Sequence, residues 1–404
     1  MHNQTVLISG AGIAGLALAY WLQRYGFAVT VVERAPTLRL DGQAVDFKGH
    51  THRAVLKQMG IWANICNCQT IRTDVVYHDA AGRETAVMSG EFIGGDVEIQ
   101  RGDLCEILCE CIVGNCEFVF GDSITALTES CHWVTVEFEQ GTSRTFDLVF
   151  GCDGMHSAVR RLAFGPEERY VRHLGYYYCV AGSPGHSSLG RRGSLGRGHG
   201  RVSQERAAAL AWSAPGLVAI AEGSKASNLY VFASSKLDFN RADLAGQRRL
   251  VTERFSTLGG QVPAMLAKLD SQSDFYLDSL SQVRMKGHYT TGRIALVGDS
   301  AYGNTLGGFG TGLAIVGAYV LAGELAVAAG NHVVAFARYD EIMRRYAKIA
   351  GNANAGPFLA PKTAWGIRVR NWFLGSWAFG LMLKYGDRAA NDIELRNYPA
   401  FMGV

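Results

Sequence analysis

The clearest chemical signal in the chain is a glycine-rich run from Gly10 to Gly15, followed by a carboxylate at Glu33. Glycines let the backbone approach a pyrophosphate closely, and a carboxylate at this spacing can accept a hydrogen bond from a ribose hydroxyl. The run lies between a β-branched stretch, Thr5 to Ser9, and a helical stretch that ends near Arg24. A second strand pattern, Phe27 to Val32, leads into Glu33. This order of strand, turn, helix and strand predicts a dinucleotide-binding βαβ unit.

Two further pairs of glycine and aspartate occur later in the chain. Asp153-Gly154 follows the apolar run Phe146 to Phe150, and Gly298-Asp299 follows a predicted strand, Arg293 to Val297. Small residues permit close backbone approach, and an aspartate accepts hydrogen bonds from hydroxyl groups. Helix capping is the alternative role for both aspartates. The three sites together are more specific for a nucleotide cofactor than any one of them.

The three sites, in this order, resemble those of the flavoprotein aromatic hydroxylases, the group of para-hydroxybenzoate hydroxylase. Within that group the chain is most similar to the tetracycline-inactivating monooxygenases and related antibiotic-tailoring oxygenases. The likeness covers most of the chain and rests also on the segments Gly42–Asp46, Gln100–Leu104, Asp274–Tyr276, Gly292–Asp299 and Val316–Leu325. It implies FAD as the cofactor, NAD(P)H as the reductant and O₂ as the co-substrate.

The resemblance also implies roles for individual residues. Asp46 and Arg101 would contact FAD, and Arg39 would contact the nicotinamide cofactor, with an ordinary surface charge as the alternative for Arg39. An arginine fork pairs well with pyrophosphate oxygens. Asp299 would bind the ribityl chain. The full set of expected cofactor-binding residues is Gly10, Gly12, Ala14, Gly15, Glu33, Arg34, Arg39, Asp46, Arg101, Asp153, Gly154, Arg160, Asp299, Gly310 and Gly312.

The likeness implies a monooxygenase that hydroxylates a bulky fused-ring phenol or enol, tetracycline-like or an aromatic polyketide, through a flavin C4a-hydroperoxide. The chemistry is then carried by the flavin, so no catalytic side chain and no metal ligand is expected. Roles in antibiotic biosynthesis and in antibiotic resistance both stay open. The alternatives are a flavin-dependent reductase or dehydrogenase on the same scaffold, and a non-catalytic protein that binds FAD or a drug.

The segment after Asp299 departs from the wider family. Many members have a histidine and a proline there, whereas this chain runs from Ser300 to Gly310 without a proline. The family's proline lies beside the flavin ring. The glycines of this loop can instead offer backbone amides near the ring carbonyls.

The order of patterns predicts an α/β fold. A Rossmann-like FAD-binding domain is expected from residues 1–72, 96–168 and 284–348. A β-sheet substrate domain of α+β type is expected from residues 73–95 and 169–283, inserted into the first domain. Residues 349–404 are expected to form a C-terminal helical segment. The stretch 182–200, rich in glycine, serine and arginine, is expected to be an exposed loop.

Composition excludes several classes of protein. The 404 residues are 48% hydrophobic with a net charge of +3, and the arginines are scattered, so a nucleic-acid partner is not expected. The nine cysteines lack the paired spacing of a zinc site and are interpreted as reduced core thiols. The apolar N-terminal stretch lacks the features of a signal peptide. The expectation is therefore a cytoplasmic monomer whose partner is a hydrophobic small molecule.

The apolar stretch from Trp372 to Leu383 is too short to span a bilayer. A buried helix is the favoured interpretation, with contact to a membrane surface as the alternative. No stable insertion into a membrane is expected.

Overall fold

The computed structural model describes residues 4–40, 42–79, 81–90, 95–182, 207–221, 228–272, 274–348, 354–377, 379 and 393–398. The expected exposed loop at 182–200 lies outside these residues apart from Gly182. The same is true of most of the stretch 378–392.

A six-stranded sheet forms the centre of one part of the fold. Its strands are β1 (Thr5–Ser9), β2 (Ala28–Glu33), β7 (Glu117–Phe120), β11 (Leu148–Gly151), β17 (Thr290–Thr291) and β18 (Ile294–Leu296). The strand order is β17-β18-β11-β1-β2-β7, and all neighbours are parallel except the β17 and β18 pair. Parallel strands are covered on both faces, which explains why β1 and β11 read as continuous apolar runs. The carboxyl ends of β1, β11 and β18 therefore lie side by side.

Three long helices contribute to the hydrophobic core around the six-stranded sheet. They are α1 (Ile13–Arg24), α9 (Gly310–Val327) and α10 (His332–Tyr346), and α9 packs against both of the others. Helix α9 is long and apolar enough to cross a membrane by length and composition, but 78% of it is buried inside the protein. A helix that is apolar on all sides is expected in such a core position.

A second, seven-stranded sheet is built from segments inserted between strands of the first. Its strands are β4 (Thr73–His78), β5 (Glu84–Met88), β12 (Val171–Ala181), β13 (Ala207–Ala214), β14 (Leu217–Ala221), β15 (Asn228–Ala233) and β16 (Phe275–Val283). The order is β16-β12-β15-β14-β13-β4-β5, and its pairs are antiparallel except for β13 with β4. The expected α/β class with a Rossmann-like part is confirmed.

The remaining elements complete the chain. A three-stranded sheet contains β8 (Ile124–Glu129), β9 (Val134–Phe138) and β10 (Arg144–Phe146), and β3 (Val45–Phe47) pairs with β6 (Val97–Ile99). The other helices are α2 (Gly49–Gln58), α3 (Trp62–Asn67), α4 (Arg101–Glu110), α5 (Ala158–Phe164), α6 (Leu244–Phe255), α7 (Val262–Ala267), α8 (Asp299–Tyr302), α11 (Gly356–Leu359) and α12 (Ala364–Leu374). Short 3₁₀ turns lie at Glu167–Arg169 and Leu269–Ser271.

The prediction of burial for the stretch that begins at Trp372 is wrong for both of its tryptophans. Trp372 and Trp377 are exposed, whereas Leu374 and Phe379 are buried. Periodicity explains the error, because only one side of an apolar helix has to face the sheet. The interpretation of all nine cysteines as core thiols also needs correction. The nine are unpaired, but Cys68 and Cys131 are exposed.

Candidate active site

The glycines of the turn between β1 and α1 have different surroundings. Gly10 has a φ of +102°, and a Cβ there would stand 2.6 Å from the carbonyl oxygen of Cys152. Gly15 is equally constrained, since its Cβ would collide with the backbone of Gly10. Gly12 is different, because its Cβ would meet only the Arg101 side chain, at 3.7 Å. Gly10 and Gly15 are thus required by packing, whereas Gly12 borders open space.

That open space lies at the N-terminus of α1. Gly12 is the N-cap residue, no side chain caps the helix, and its first turn contains no acidic residue. The N–H groups at such a terminus carry positive partial charge and can bind a phosphate. The absence of a protein cap fits a pyrophosphate at this position.

Glu33 lies at the tip of β2 and faces the same turn. Its Oε2 accepts a hydrogen bond from Ala11 N at 2.8 Å, and its Oε1 accepts one from Ala35 N at 2.9 Å. A carboxylate has about four lone-pair sites, so two remain for a ligand. The two backbone bonds fix the carboxylate at the edge of the turn, which fits the expected contact with ribose hydroxyls.

The second motif, Asp153-Gly154, contains a buried carboxylate oxygen without a hydrogen-bond partner. Asp153 Oδ2 accepts a bond from Val159 N at 3.1 Å, while the buried Oδ1 has no partner. Burial raises the pKa of the Asp153 carboxyl, and the hydrogen bonds of Ser157 and Val159 counter it in part. A buried oxygen without a donor is costly unless a ligand or water supplies one. The donor set of this loop therefore fits a hydroxyl-bearing cofactor.

Arg160 has a structural setting that the sequence did not reveal. Its side chain is fully buried, and it donates hydrogen bonds to Ser300 O at 2.9 Å and to Met155 O at 2.6 Å. These bonds join the Asp153-Gly154 loop to α8, the helix that begins at Asp299. Arg160 therefore links the Asp153-Gly154 site to the Gly298-Asp299 site.

Asp299 opens onto solvent between closely packed segments, and this space is called the Asp299 cleft below. Its side chain is exposed to solvent, yet the surrounding protein is dense enough that burial raises the pKa of its carboxyl, which the Arg101 charge lowers in part. A Cβ on Gly310 would stand 3.4 Å from Asp299 Oδ1, so the start of α9 borders the same space. Gly298, with a φ of +73°, lets this turn approach Ala14 on α1. The first and third motifs therefore meet at one cleft.

The remaining predicted residues fall into two groups. Asp46 on β3 and Arg101 at the start of α4 are half-buried, and Arg101 packs against Gly42. Arg34 and Arg39 are exposed on the surface. Gly312 has a packing role, because a Cβ there would collide with the His52 ring.

The proline-free loop after α8 is held by the second sheet. Val283 N donates to Gly303 O at 2.8 Å, and Thr305 N donates to Ser281 O at 3.0 Å. These bonds join the loop to the end of β16. The seven-stranded sheet is therefore fixed directly beside the Asp299 cleft.

A charged cluster beside this junction was missed by the sequence reasoning. His156 Nε2 lies 2.9 Å from Asp278 Oδ2, and His156 Nδ1 lies 3.0 Å from Glu167 Oε2. Tyr276 donates its hydroxyl to Asp278 Oδ2 at 2.8 Å. The cluster borders a cavity of about 330 Å³ that Lys236 and Arg241 also line. Its members come from distant segments, and the only sequence signal nearby was the Asp274–Tyr276 segment.

The hydrogen bonds within the cluster determine its charges. Burial alone would lower the pKa of His156, but the hydrogen bonds to Asp278 and Glu167 outweigh burial and raise it. Burial would raise the pKa of Asp278, but the hydrogen bonds from His156 and Tyr276 outweigh burial and lower it. The pKa of Glu167 is likewise lowered, because its hydrogen bond with His156 and the nearby positive charges outweigh the effect of burial. The cluster therefore favours an imidazolium between two carboxylates.

The turn between β1 and α1 is followed by a helix without a side-chain cap, and Glu33 lies at the tip of β2. Both features are typical of dinucleotide-binding proteins. A family model described as "FAD binding domain" matches residues 3–169. A flavin-dependent monooxygenase from an unknown prokaryotic organism is 38% identical over 98% of this chain and all of its own length. The chain therefore belongs to the flavin-dependent monooxygenase family, and it is an FAD-dependent enzyme of that kind.

Two solved structures extend this comparison over nearly the whole chain. The tetracycline destructase Tet(51) matches with a TM-score of 0.78 and 31% identity, covering 99% of this chain and 100% of its own. The tetracycline destructase Tet(55) matches with a TM-score of 0.76 and 34% identity, covering 98% and 99%. The resemblance to tetracycline-inactivating monooxygenases is thus confirmed at the level of the fold and the family.

Proposed function

We propose that the enzyme uses NAD(P)H and O₂ to hydroxylate a bulky fused-ring phenol or enol, either tetracycline-like or an aromatic polyketide. The observation that carries this proposal is the hydrogen-bonded junction between the loop after Asp299 and β16, the strand that carries Tyr276 and Asp278. The likeness of the whole chain to two tetracycline destructases supports the same substrate class. Both a resistance role and a biosynthetic role are compatible with that chemistry.

The division of labour follows the two sheets. Residues 1–72, 96–168 and 284–348 hold FAD, and residues 73–95 and 169–283 form the substrate-binding part. Gly12 and the N-terminus of α1 bind the pyrophosphate, Glu33 binds ribose, and Asp299 binds the ribityl chain. When bound and reduced by NAD(P)H, the flavin supplies the activation of O₂ and the transfer of one oxygen atom. The chain orients the substrate, excludes water and handles protons.

Protons can be handled by polar side chains of the second sheet. Tyr276 donates its hydroxyl to Asp278 Oδ2 at 2.8 Å, and the rings of Tyr178 and Tyr276 pack with 5.9 Å between their centroids. Tyr178 is also near enough to Asp299 for that carboxylate to contribute to raising the pKa of its phenol, after the larger effects of burial and of Tyr276 and Asp278. A tyrosine hydroxyl bonded to a carboxylate can take up the proton of a phenol or enol and pass its own proton on. We propose that Asp278 accepts the proton from Tyr276.

The test is product mass after incubating the FAD-loaded protein with NADPH, ¹⁸O₂ and a panel of tetracyclines and aromatic polyketides. The expected result is one product that carries a single labelled oxygen atom. Consumption of NADPH without a labelled product from any panel member would contradict the proposed substrate class. Reduction of a panel compound without oxygen incorporation would contradict hydroxylation.

A further inference from the structure

Exposed tryptophans are concentrated on and just after α12. The exposed fractions are 72% for Trp365, 72% for Trp372 and 79% for Trp377, and Val369 is 40% exposed. Residues 365, 369 and 372 are spaced four and three apart, so they share one side of the helix. These four residues are called the tryptophan face below. Three of the seven tryptophans of the chain belong to it.

The other side of α12 is fixed to the second sheet, so the tryptophan face cannot turn inward. The Arg370 guanidinium is buried and stacks on the Tyr77 ring with 3.9 Å between its Cζ and the ring centroid. Arg370 also donates to Leu359 O at 2.8 Å and to Ser213 Oγ at 3.3 Å. Rotation of the helix would leave a buried guanidinium without these partners, which is costly. Exposure of the indole rings is therefore part of the fold.

The segment that carries the tryptophan face has charges of one sign only. The sequence from Pro361 to Trp377 contains Lys362, Arg368 and Arg370 and no acidic residue. Lys362 and Arg368 are exposed, whereas Arg370 is the buried anchor. A surface of indole rings with flanking cations complements an anionic, amphipathic partner.

The size of the tryptophan face argues against a second copy of the chain as its partner. Complete burial of a tryptophan removes about 150–250 Å² from water, so this face offers roughly 500 Å². A standard interface between proteins buries about 800 Å² on each partner. Tryptophan is instead enriched where an apolar phase meets water, because its ring is apolar while its N–H still needs a partner.

We propose that the tryptophan face is a peripheral docking site for an anionic phospholipid surface, with α12 lying in the plane of the interface. Its indole rings would enter the boundary between headgroups and acyl chains, and Lys362 and Arg368 would pair with lipid phosphates. Helix α9 takes no part in this contact, because it is buried in the core. Docking is independent of the reaction that the enzyme catalyses.

The test is co-sedimentation of the full, FAD-loaded protein with vesicles of phosphatidylcholine alone or of an equal mixture with phosphatidylglycerol. Binding to the anionic vesicles is expected to exceed binding to the neutral ones on the order of tenfold, because two exposed cations belong to the same segment as the indole rings. The double variant Trp365→Ser/Trp372→Ser should lose this binding. Trp133→Ser is the matched control, because Trp133 is 47% exposed on the turn between β8 and β9, away from α12. It should bind as the parent does.

Quenching of tryptophan fluorescence by brominated lipid gives a second measurement. Quenching is expected in the parent and in Trp133→Ser and should disappear in the double variant. Lys362→Glu/Arg368→Glu should lose the preference for anionic vesicles. The flavin absorbance and the melting temperature of each variant show whether it is folded. Failure of the parent to bind, binding retained by a folded double variant, or a dimer in lipid-free solution that the double variant abolishes would each overturn the proposal.

Discussion

Replacement of Gly12 by alanine should weaken FAD binding without weakening the fold of the apo-protein. Gly12 has a φ of −79°, which alanine adopts readily, and the new methyl group would meet only Arg101 at 3.7 Å. The methyl would, however, occupy the space where a pyrophosphate must approach the N-terminus of α1. Loss of one hydrogen bond to a charged group costs about 1.5–3 kcal/mol. The dissociation constant for FAD should therefore rise about 10-fold to 100-fold.

The assay is a titration of apo-protein with FAD, followed by flavin fluorescence, together with thermal unfolding with and without FAD. The apo-protein of Gly12→Ala should melt as the parent does, while its stabilisation by a fixed FAD concentration should shrink. Gly259→Ala is the matched control, since a Cβ there meets nothing within 4 Å and its φ is not positive. Gly10→Ala is the contrasting variant. It should destabilise the apo-protein itself, because its methyl would meet the Cys152 carbonyl at a φ of +102°.

Parent-like FAD affinity in Gly12→Ala would refute the reasoning, because the space before Gly12 would then not hold the pyrophosphate. A large drop in the melting temperature of its apo-protein would refute the division of the glycines into packing and cofactor roles.

Three further predictions concern the acids and the charged cluster. Asp299→Ala should purify with a much lower ratio of flavin to protein absorbance, and full loading would contradict its place in the FAD site. Tyr276→Phe should keep its flavin but form less product per NADPH consumed, because the hydrogen bond to Asp278 is lost; an unchanged ratio would remove Asp278 as proton acceptor. The raised pKa of His156 contributes stability that is fully present below its unfolded pKa of about 6.5 and is lost as pH rises through the folded value. As the pH rises above 6.5, the melting temperature of the parent should therefore fall more than that of Glu167→Gln. If the melting temperatures of the two proteins depend on pH in the same way, the ion pair of His156 with Glu167 is not the cause.

The parts of the site that lie within one short segment were accessible from the sequence. The turn from Gly10 to Gly15 and the Gly298-Asp299 pair combine chemistry and geometry within a few residues, so their order along the chain was informative. Arg160 was named from the sequence as a cofactor residue, but its bond to Ser300 was not predicted, and neither was the contact of His156 with Asp278. Their partners, Ser300 and Asp278, lie more than a hundred positions away, and only the folded sheets bring them together.

The same limit applies to two further residues. Gly312 follows a glycine-rich loop and is predicted to bind the cofactor, but its close packing against the His52 ring on another helix was not predicted. Trp372 lies in an apolar stretch and was expected to be buried, but Arg370 two positions earlier takes the inward place. In both cases the side of the helix on which the residue lies depends on contacts with distant segments. The local sequence pattern does not contain those contacts.

The contacts around the cleft would couple the proposed FAD site to the proposed substrate-binding sheet. Arg160 ties the Asp153 loop to α8, and Thr305 and Val283 tie the loop after α8 to β16. Asp278, on the same strand, is held by His156, which lies two positions after Gly154. A shift of β16 on substrate binding would therefore act on both aspartate motifs through backbone hydrogen bonds and one ion pair. If β16 lines the substrate site, as proposed above, these contacts give a physical reason for substrate binding on this strand to affect the proposed FAD site.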